Sequence, residues 1–193
     1  MPREVLTPDG ATSDNRPLAG FFGKAPFTGD FVSRGLPDAF RRHWDSWLTH
    51  HIAPLQRGGQ VFPPCGLRFR LPSGGRVAAG VILPSEDSAG RRFPLSVLLI
   101  AKGNLALPQV DAWCDAALHL LPGTLDADTL WLALEDLSAP KVDGPATGPM
   151  QLWAAGHPAL DANPKDPAAA LARLLSHESG PTQAGPAGQP SSG

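Results

Sequence analysis

The sequence predicts an α/β fold, namely a single-domain sandwich in which a mixed or antiparallel sheet is covered by helices. Apolar runs typical of strands occur at residues 67–71, 76–83 and 93–101. Apolar side chains spaced three and four residues apart, which are typical of amphipathic helices, precede and follow these runs. The 193 residues suffice for one domain whose core folds without a disulfide or a metal.

The two ends of the chain differ in composition from the rest. Residues 1–18 are polar and rich in proline, and residues 178–193 are nearly all Gly, Pro, Ser, Gln and Ala. Such segments bury too little apolar surface to offset the entropy that ordering them would cost. We therefore predict disordered tails at 1–18 and 178–193, and one folded α/β domain at 19–177.

The first two predicted elements are a strand with a turn and a helix. Residues 20–32 combine four aromatic side chains with three glycines, which favours a short strand followed by a tight turn. Pro37 suits a first helical turn, and Asp38 favourably meets the positive end of the helix dipole. The apolar residues that then recur at the helical period are Phe40, Trp44, Trp47, Leu48 and Ile52. A helix over about 37–52, with this stripe buried, is the prediction.

Three strands are predicted next. The segment Leu67-Arg-Phe-Arg-Leu71 alternates strictly between apolar and charged side chains, which predicts a half-exposed strand. Residues 76–83 and 93–101 are more continuously apolar, which predicts two more deeply buried strands. Because the turn-rich segment 84–92 connects them, we expect these two strands to pair as a long hairpin.

The last part of the chain predicts two further helices, a strand and a final helix. Pro108 opens a helix whose apolar residues follow the helical period up to Pro122-Gly123. Cys114 lies on its buried face, where a free thiol behaves as a small apolar group. The remaining predicted elements are a helix over 126–137, a strand over 150–154, and a helix that begins after Asp166-Pro167.

Charge and hydropathy exclude several kinds of partner. Sixteen Lys and Arg against eighteen Asp and Glu give a formal net charge of −2, without a basic stripe, so nucleic acid is not an expected partner. The N-terminus has no apolar run typical of a signal peptide, and no stretch approaches the roughly 18 apolar residues of a membrane span. We expect a cytoplasmic protein without direct membrane insertion.

Two segments resemble a known protein family. Residues 20–37, Gly-Phe-Phe-Gly-Lys-Ala-Pro-Phe-Thr-Gly-Asp-Phe-Val-Ser-Arg-Gly-Leu-Pro, followed by Trp44-Asp-Ser-Trp-Leu, resemble the opening of TagF proteins, which are also called ImpM. Residues 80–95, Gly-Val-Ile-Leu-Pro-Ser-Glu-Asp-Ser-Ala-Gly-Arg-Arg-Phe-Pro-Leu, are similar to a second signature of that family. A weaker similarity is Gln151-Leu-Trp-Ala-Ala-Gly, where Ala154 departs from the family's usual tryptophan. The chain also has a shorter segment between Trp47 and Leu67 than the family usually has.

The resemblance implies a compact α/β sandwich and a role as a post-translational negative regulator of type VI secretion system assembly. It implies protein partners among the type VI secretion components, and in some relatives the forkhead-associated scaffold protein. Both motifs fall in turns, where binding functions concentrate on a rigid scaffold. The residues that we identify as candidates for partner binding are Gly20, Phe22, Gly23, Lys24, Gly29, Asp30, Phe31, Pro84, Ser85, Asp87, Gly90, Arg92 and Pro94.

An enzymatic alternative rests on two carboxylates. Asp30 and Asp87 could act as an acid/base pair of a small hydrolase or nucleotide-dependent enzyme if their loops meet at one end of the sheet. They could instead accept backbone N–H bonds in their turns, or contact Arg91 or Arg92. We expect no catalytic residues, since no nucleophile elbow of the form Gly-x-Ser-x-Gly occurs.

Cofactor and metal sites are not predicted either. Gly23-Lys24 lacks the glycine spacing and the following Ser or Thr of a phosphate-binding loop, so Lys24 is interpreted as a surface or turn residue. His43 and His50 are spaced seven residues apart, but two nitrogen ligands without a third do not make a zinc site.

Overall fold

The computed structural model describes residues 16–124 and 126–175. The predicted tails lie outside these residues, except for residues 16–18. The strands are β1 (Leu18–Lys24), β2 (Phe31–Arg34), β3 (Leu67–Ser73), β4 (Arg76–Leu83), β5 (Leu95–Ala101), β6 (Met150–Ala154) and β7 (Leu160–Ala162). The helices are α1 (Asp38–Trp47), α2 (Ala53–Arg57), α3 (Leu107–Leu120), α4 (Ala127–Asp136) and α5 (Ala168–Leu175).

In the described part of the chain, the seven strands form one sheet in the order β2-β1-β5-β4-β3-β6-β7. Every neighbouring pair runs antiparallel. The predicted hairpin is confirmed, because β4 and β5 pair from Val77 opposite Ala101 to Leu83 opposite Leu95. All seven residues of β5 are buried, as expected of a strand near the centre of a sheet that is covered on both faces.

Helices cover both faces of the sheet, which makes the molecule a three-layer sandwich. Alternate side chains of a strand point to opposite faces, so β1 sends Phe21 to one face and Phe22 to the other. The first face packs against α3 and α4, including Trp113 and Leu134. The second face packs against α1 and α5, including Trp44. The predicted fold class, an α/β sandwich with helices over the sheet, is therefore confirmed.

The predicted helices and the Met150–Ala154 strand are present, with one difference. The helix predicted over 37–52 is α-helical only to Trp47, continues as a π-helical turn over Leu48–Ile52, and leads directly into α2. Pro54 supplies the physical reason. It has no N–H to bond the carbonyl four residues earlier, and its ring would collide with that carbonyl in a regular α-helix.

Strand β3 differs more seriously from the prediction of a half-exposed strand. Arg68 and Arg70 are 2% and 6% exposed, so the charged side of the strand is buried. Arg68 forms ion pairs with Asp111 and Asp115 of α3, and Trp153 donates a 2.8 Å hydrogen bond to Asp111. The prediction was wrong because strand alternation shows that two faces differ, without showing that the polar one meets water.

The two cysteines differ in their burial. Cys114 is buried as predicted, and burial raises the pKa of its thiol to about 12, whereas Cys65 is exposed.

Among the helices of residues 16–124 and 126–175, none has both the length and the apolar character needed to cross a membrane.

Candidate functional site

The β1–β2 turn, residues 25–30, is a compact loop held by its own hydrogen bonds. The Thr28 N–H donates to the Ala25 carbonyl at 3.1 Å, and the Thr28 hydroxyl donates to the Asp30 carbonyl at 2.7 Å. The Asp30 carboxylate accepts the Phe31 N–H at 2.7 Å. Asp30 is exposed, and its carboxylate stabilises its own turn. This is the alternative to catalysis that the sequence analysis gave, in which the carboxylate accepts a backbone N–H bond.

The β4–β5 loop, residues 84–94, is organised around the buried carboxylate of Asp87. One of its oxygens accepts the N–H groups of Ala89 and Arg91 at 3.0 and 2.9 Å. The backbone adds bonds from Gly90 N–H to the Asp87 carbonyl, and from Asp87 N–H to the Arg91 carbonyl. Gly90 has φ 75°, a left-handed conformation that glycine adopts without strain.

The two loops contact each other directly, and together we call them the paired loops. The Ser88 N–H donates to the Thr28 carbonyl at 2.8 Å, and the Arg91 guanidinium donates to the Gly29 carbonyl. Gly23 packs so closely on the β4–β5 loop that a Cβ there would lie less than 3.0 Å from the Pro94 carbonyl oxygen. The structure therefore brings together the two motifs that the sequence showed apart.

An ion-pair network lies beneath the paired loops. The ammonium of Lys24 binds one oxygen of Asp87, and Arg91 binds the same oxygen at 2.8 Å. The Asp87 side chain is 0% exposed and that of Lys24 is 7% exposed. The hydrogen bond from Lys24, supported by the backbone N–H groups and by Arg91, lowers the pKa of Asp87 far below its usual value, although burial alone would raise it.

Lys24 thus corrects one prediction. The sequence analysis interpreted it as a surface or turn residue, but it is a buried residue of β1. A lysine is almost never buried without a partner, and its partner, Asp87, is 63 positions away in the chain. No local pattern could reveal this pairing.

Three phenylalanines form the apolar part of the site. The three rings contact one another, with ring centroids 6.0 Å apart for Phe22 and Phe31, 4.8 Å for Phe31 and Phe93, and 6.2 Å for Phe22 and Phe93. The Lys24 ammonium lies 5.1 Å from the centre of the Phe31 ring, within the range of a cation–π interaction. Phe22 and Phe93 are buried, whereas Phe31 is 48% exposed, so this ring presents the cluster to solvent.

The remaining candidate residues lie at the margin of the paired loops or away from them. The Ser85 carbonyl, next to Pro84, accepts a 2.6 Å hydrogen bond from Gln56 of α2. Arg92 is exposed and lies 3.9 Å from the Glu86 carboxylate. Gly20 lies in β1, where a Cβ would collide with Leu36, so it serves close packing.

The two carboxylates of the enzymatic alternative are engaged separately. Asp87 lies buried in its ion-pair network, and Asp30 bonds the backbone of its own turn. Among the described residues, no three His, Cys, Asp or Glu side chains come together in a way that could hold a metal ion.

Sequence reasoning missed two contributors to the site. Arg91 was considered only as a possible contact, yet it links Asp87 to the β1–β2 turn. Phe93 was assigned to a strand, yet it completes the aromatic cluster. The only signal for them was their position inside the second motif.

Comparison with known proteins places this arrangement in a family. The family model of the TagF N-terminal domain, described as type VI secretion system-associated, matches residues 20–138, more than half of the chain. The chain belongs to the TagF family. Both paired loops lie within the part that matches the TagF model, so the resemblance drawn from the two motifs is confirmed.

A solved structure has a similar fold. The crystal structure of PA0076 from Pseudomonas aeruginosa PAO1 matches with a TM-score of 0.52 and 28% sequence identity. The match covers 82% of this chain and 77% of that one. No curated protein shows significant similarity to the chain.

Proposed function

We propose that the protein is a cytoplasmic accessory protein that restrains type VI secretion system assembly after translation, by binding protein partners. The paired loops form the binding surface in this proposal. The observation that carries it is that both family motifs converge into one hydrogen-bonded unit, with Phe31 raised at its surface. A preformed surface binds with less loss of conformational entropy than a loop that must order itself.

The composition of the paired loops suits a protein partner. Phe31 is half-exposed, and the side chains of Arg91 and Arg92 are 59% and 60% exposed. Aromatic rings and arginines dominate the energetics of protein interfaces, because they combine apolar area with hydrogen bonding. We propose type VI secretion components as the partners, with the forkhead-associated scaffold protein as the first one to test.

Binding is a better account of the paired loops than acid/base catalysis, and the charge state of Asp87 is the reason. A carboxylate whose pKa is strongly lowered by Lys24 is a weak base, and this one is buried among its partners. Asp30 uses a carboxylate oxygen to hold its own turn. We propose no catalytic role, cofactor or metal for either residue.

The proposal is tested by the release of the type VI tube protein into the medium. Deletion of the gene in the source bacterium should raise release, and overexpression should lower it, at matched cell lysis. Complementation with Phe31→Ala should fail to restore repression. Leu132→Ala is the matched control, because Leu132 is an exposed apolar side chain, 59% exposed, on α4. Repression by Phe31→Ala equal to that of the wild type would remove the paired loops from the proposal.

A binding measurement with purified proteins tests the paired loops as the binding surface, independently of the effect on secretion. Purified Arg92→Glu should bind the forkhead-associated scaffold protein less tightly. Arg57→Glu, an equal charge change at an exposed residue of α2, should bind as the wild type does. Phe22 and Asp87 are unsuitable for this purpose, since both are buried and their substitution would alter folding. Unchanged release in both the deletion and the overexpression strain would overturn the regulatory role itself.

A further inference from the structure

A second surface lies at the other end of the strands from the paired loops. It is an apolar groove of about 520 Å³ between α1 and the sheet, which we call the α1 groove. Phe40 and Trp47 of α1 form one wall, and Leu71 and Ile100 lie on the sheet side. Along β4 the lining of the groove ends at Ala78, and the paired loops begin after Leu83, about 17 Å further on, so the two surfaces are separate.

The aromatic wall of the α1 groove is preformed. Trp44 stacks on Phe40 with ring centroids 5.7 Å apart and on Trp47 at 5.0 Å. The Trp44 indole N–H donates to the Ser96 hydroxyl at 2.8 Å, and that of Trp47 donates to the Pro164 carbonyl at 2.8 Å. Both indole N–H groups are satisfied within the protein, so the rings present mainly apolar area to the groove.

The α1 groove has one charged side chain in its lining, and that charge is positive. It belongs to Arg76, and no Asp or Glu lines the groove. Arg76 is exposed, and within residues 16–124 and 126–175 it forms no ion pair. An apolar occupant that carries a carboxylate would therefore complement the groove in charge as well as in polarity.

The length of the α1 groove indicates the kind of occupant. Its lining runs from Pro37 to Trp47, the full length of α1, whose ten residues span about 15 Å. A helix of about three turns presents apolar anchors at i, i+4 and i+7 over a similar length. We propose that the α1 groove binds the apolar face of a partner protein's helix that carries acidic residues beside its anchors.

The test uses synthetic probes, because it needs no knowledge of the natural partner. The first probe is an amphipathic helical peptide of about four turns, with leucines at i, i+4 and i+7 and glutamates beside them. A second probe replaces the glutamates with lysines, and a third replaces the leucines with serines. Titration of the full chain, followed by tryptophan fluorescence and calorimetry, should show saturable binding of the leucine–glutamate peptide and of neither other probe.

Substitutions in the α1 groove should change which peptide binds and how tightly. A residue that only stabilises the fold would not reverse the preference between the two peptides. Arg76→Glu should weaken the leucine–glutamate peptide about fivefold and should instead bind the leucine–lysine peptide. Phe40→Ala should weaken binding about tenfold, because it removes apolar contact area. Arg57→Glu and Phe31→Ala should leave binding unchanged, which distinguishes the α1 groove from the paired loops and from net charge.

Several results would overturn the proposal. These are equal binding of the glutamate and lysine peptides, binding unaffected by Phe40→Ala, and absence of binding to the wild type. Sedimentation that shows a dimer dissociated by the peptide would assign the groove to a second copy of the chain. A peptide of residues 1–15 that binds as tightly as the probe would assign it to the chain's own N-terminal residues. None of these results would bear on repression through the paired loops.

Discussion

At the scale of single residues, Asp87 does most to shape the candidate site. Its buried carboxylate forms ion pairs with Lys24 and Arg91 and accepts hydrogen bonds from two backbone N–H groups. This one side chain therefore stabilises the β4–β5 loop and also links the loop to β1. A buried carboxylate is stable only when its hydrogen-bonding capacity is filled. We infer that the motif aspartate acts through the shape of the paired loops, while exposed neighbours such as Phe31 and Arg92 are available for contact.

Gly23 allows the close approach of the two loops, and its substitution is the first residue-scale prediction. Its φ of 138° and the proximity of the Pro94 carbonyl leave no room for a Cβ. Gly23→Ala should lower the free energy of unfolding by about 2 kcal/mol or more. The measurement is urea denaturation followed by tryptophan fluorescence.

Gly29 provides the matched control for that prediction. It lies in the same loop pair, and a Cβ there would meet only the Ser88 hydroxyl at an ordinary 3.5 Å. Gly29→Ala should change the free energy of unfolding by less than about 0.5 kcal/mol. Equal destabilisation by the two substitutions would contradict the role given to Gly23.

At the scale of elements, hydrogen bonds anchor α1 to the sheet as well as apolar packing does. The Trp44 indole N–H donates to the Ser96 hydroxyl of β5, and that hydroxyl donates to the Phe22 carbonyl of β1 at 3.0 Å. Ser96 is 0% exposed, although it lies in an otherwise apolar strand. The helix that walls the α1 groove is thereby linked to the strand that carries the aromatic cluster of the paired loops.

Ser96→Ala tests this link. It leaves the buried Trp44 indole N–H without an acceptor, which should cost about 1–3 kcal/mol in the free energy of unfolding. Ser46→Ala, on the exposed side of α1, should cost less than about 0.5 kcal/mol. The measurement is chemical denaturation of both variants, and an equal effect of the two would show that the Trp44 hydrogen bond contributes nothing specific.

At the scale of the whole molecule, one sheet connects two helical layers and holds two surfaces at opposite ends of its strands. The central strands are buried on both faces, which makes them a rigid support for the paired loops at one end and the α1 groove at the other. Both surfaces present aromatic rings with arginines nearby.

The pH dependence of global stability follows from the lowered pKa of Asp87. In the folded state this carboxyl stays ionised to lower pH than in the unfolded chain, so the unfolded chain takes up the proton first as the pH falls. Its contribution is therefore fully present above the unfolded pKa of about 4, and it decreases as the pH falls towards the folded pKa.

Comparison of the wild type with Asp87→Asn isolates that contribution. The difference in urea midpoint should be constant between about pH 8 and pH 5 and should narrow below about pH 4. Asp30→Asn removes a charge from the exposed part of the same loops and controls for net charge. A difference that already narrows between about pH 7 and pH 5 would contradict a lowered pKa for Asp87.

The sequence by itself determined the fold class, most of the elements and the family. Periodicity located α3, and continuous apolar runs located β4 and β5, because both signals come from residues close together in the sequence. The two motifs identified the TagF family for the same reason, since each is a continuous segment.

Only the tertiary structure decided which side chains lie together. The Lys24–Asp87 pair and the burial of Arg68 beneath α3 both depend on packing between segments distant in the chain. A charged residue in a strand pattern is compatible with solvent or with a buried partner, and only the neighbouring layer distinguishes the two. The α1 groove depends on packing too, because it exists only where α1 crosses the ends of three strands.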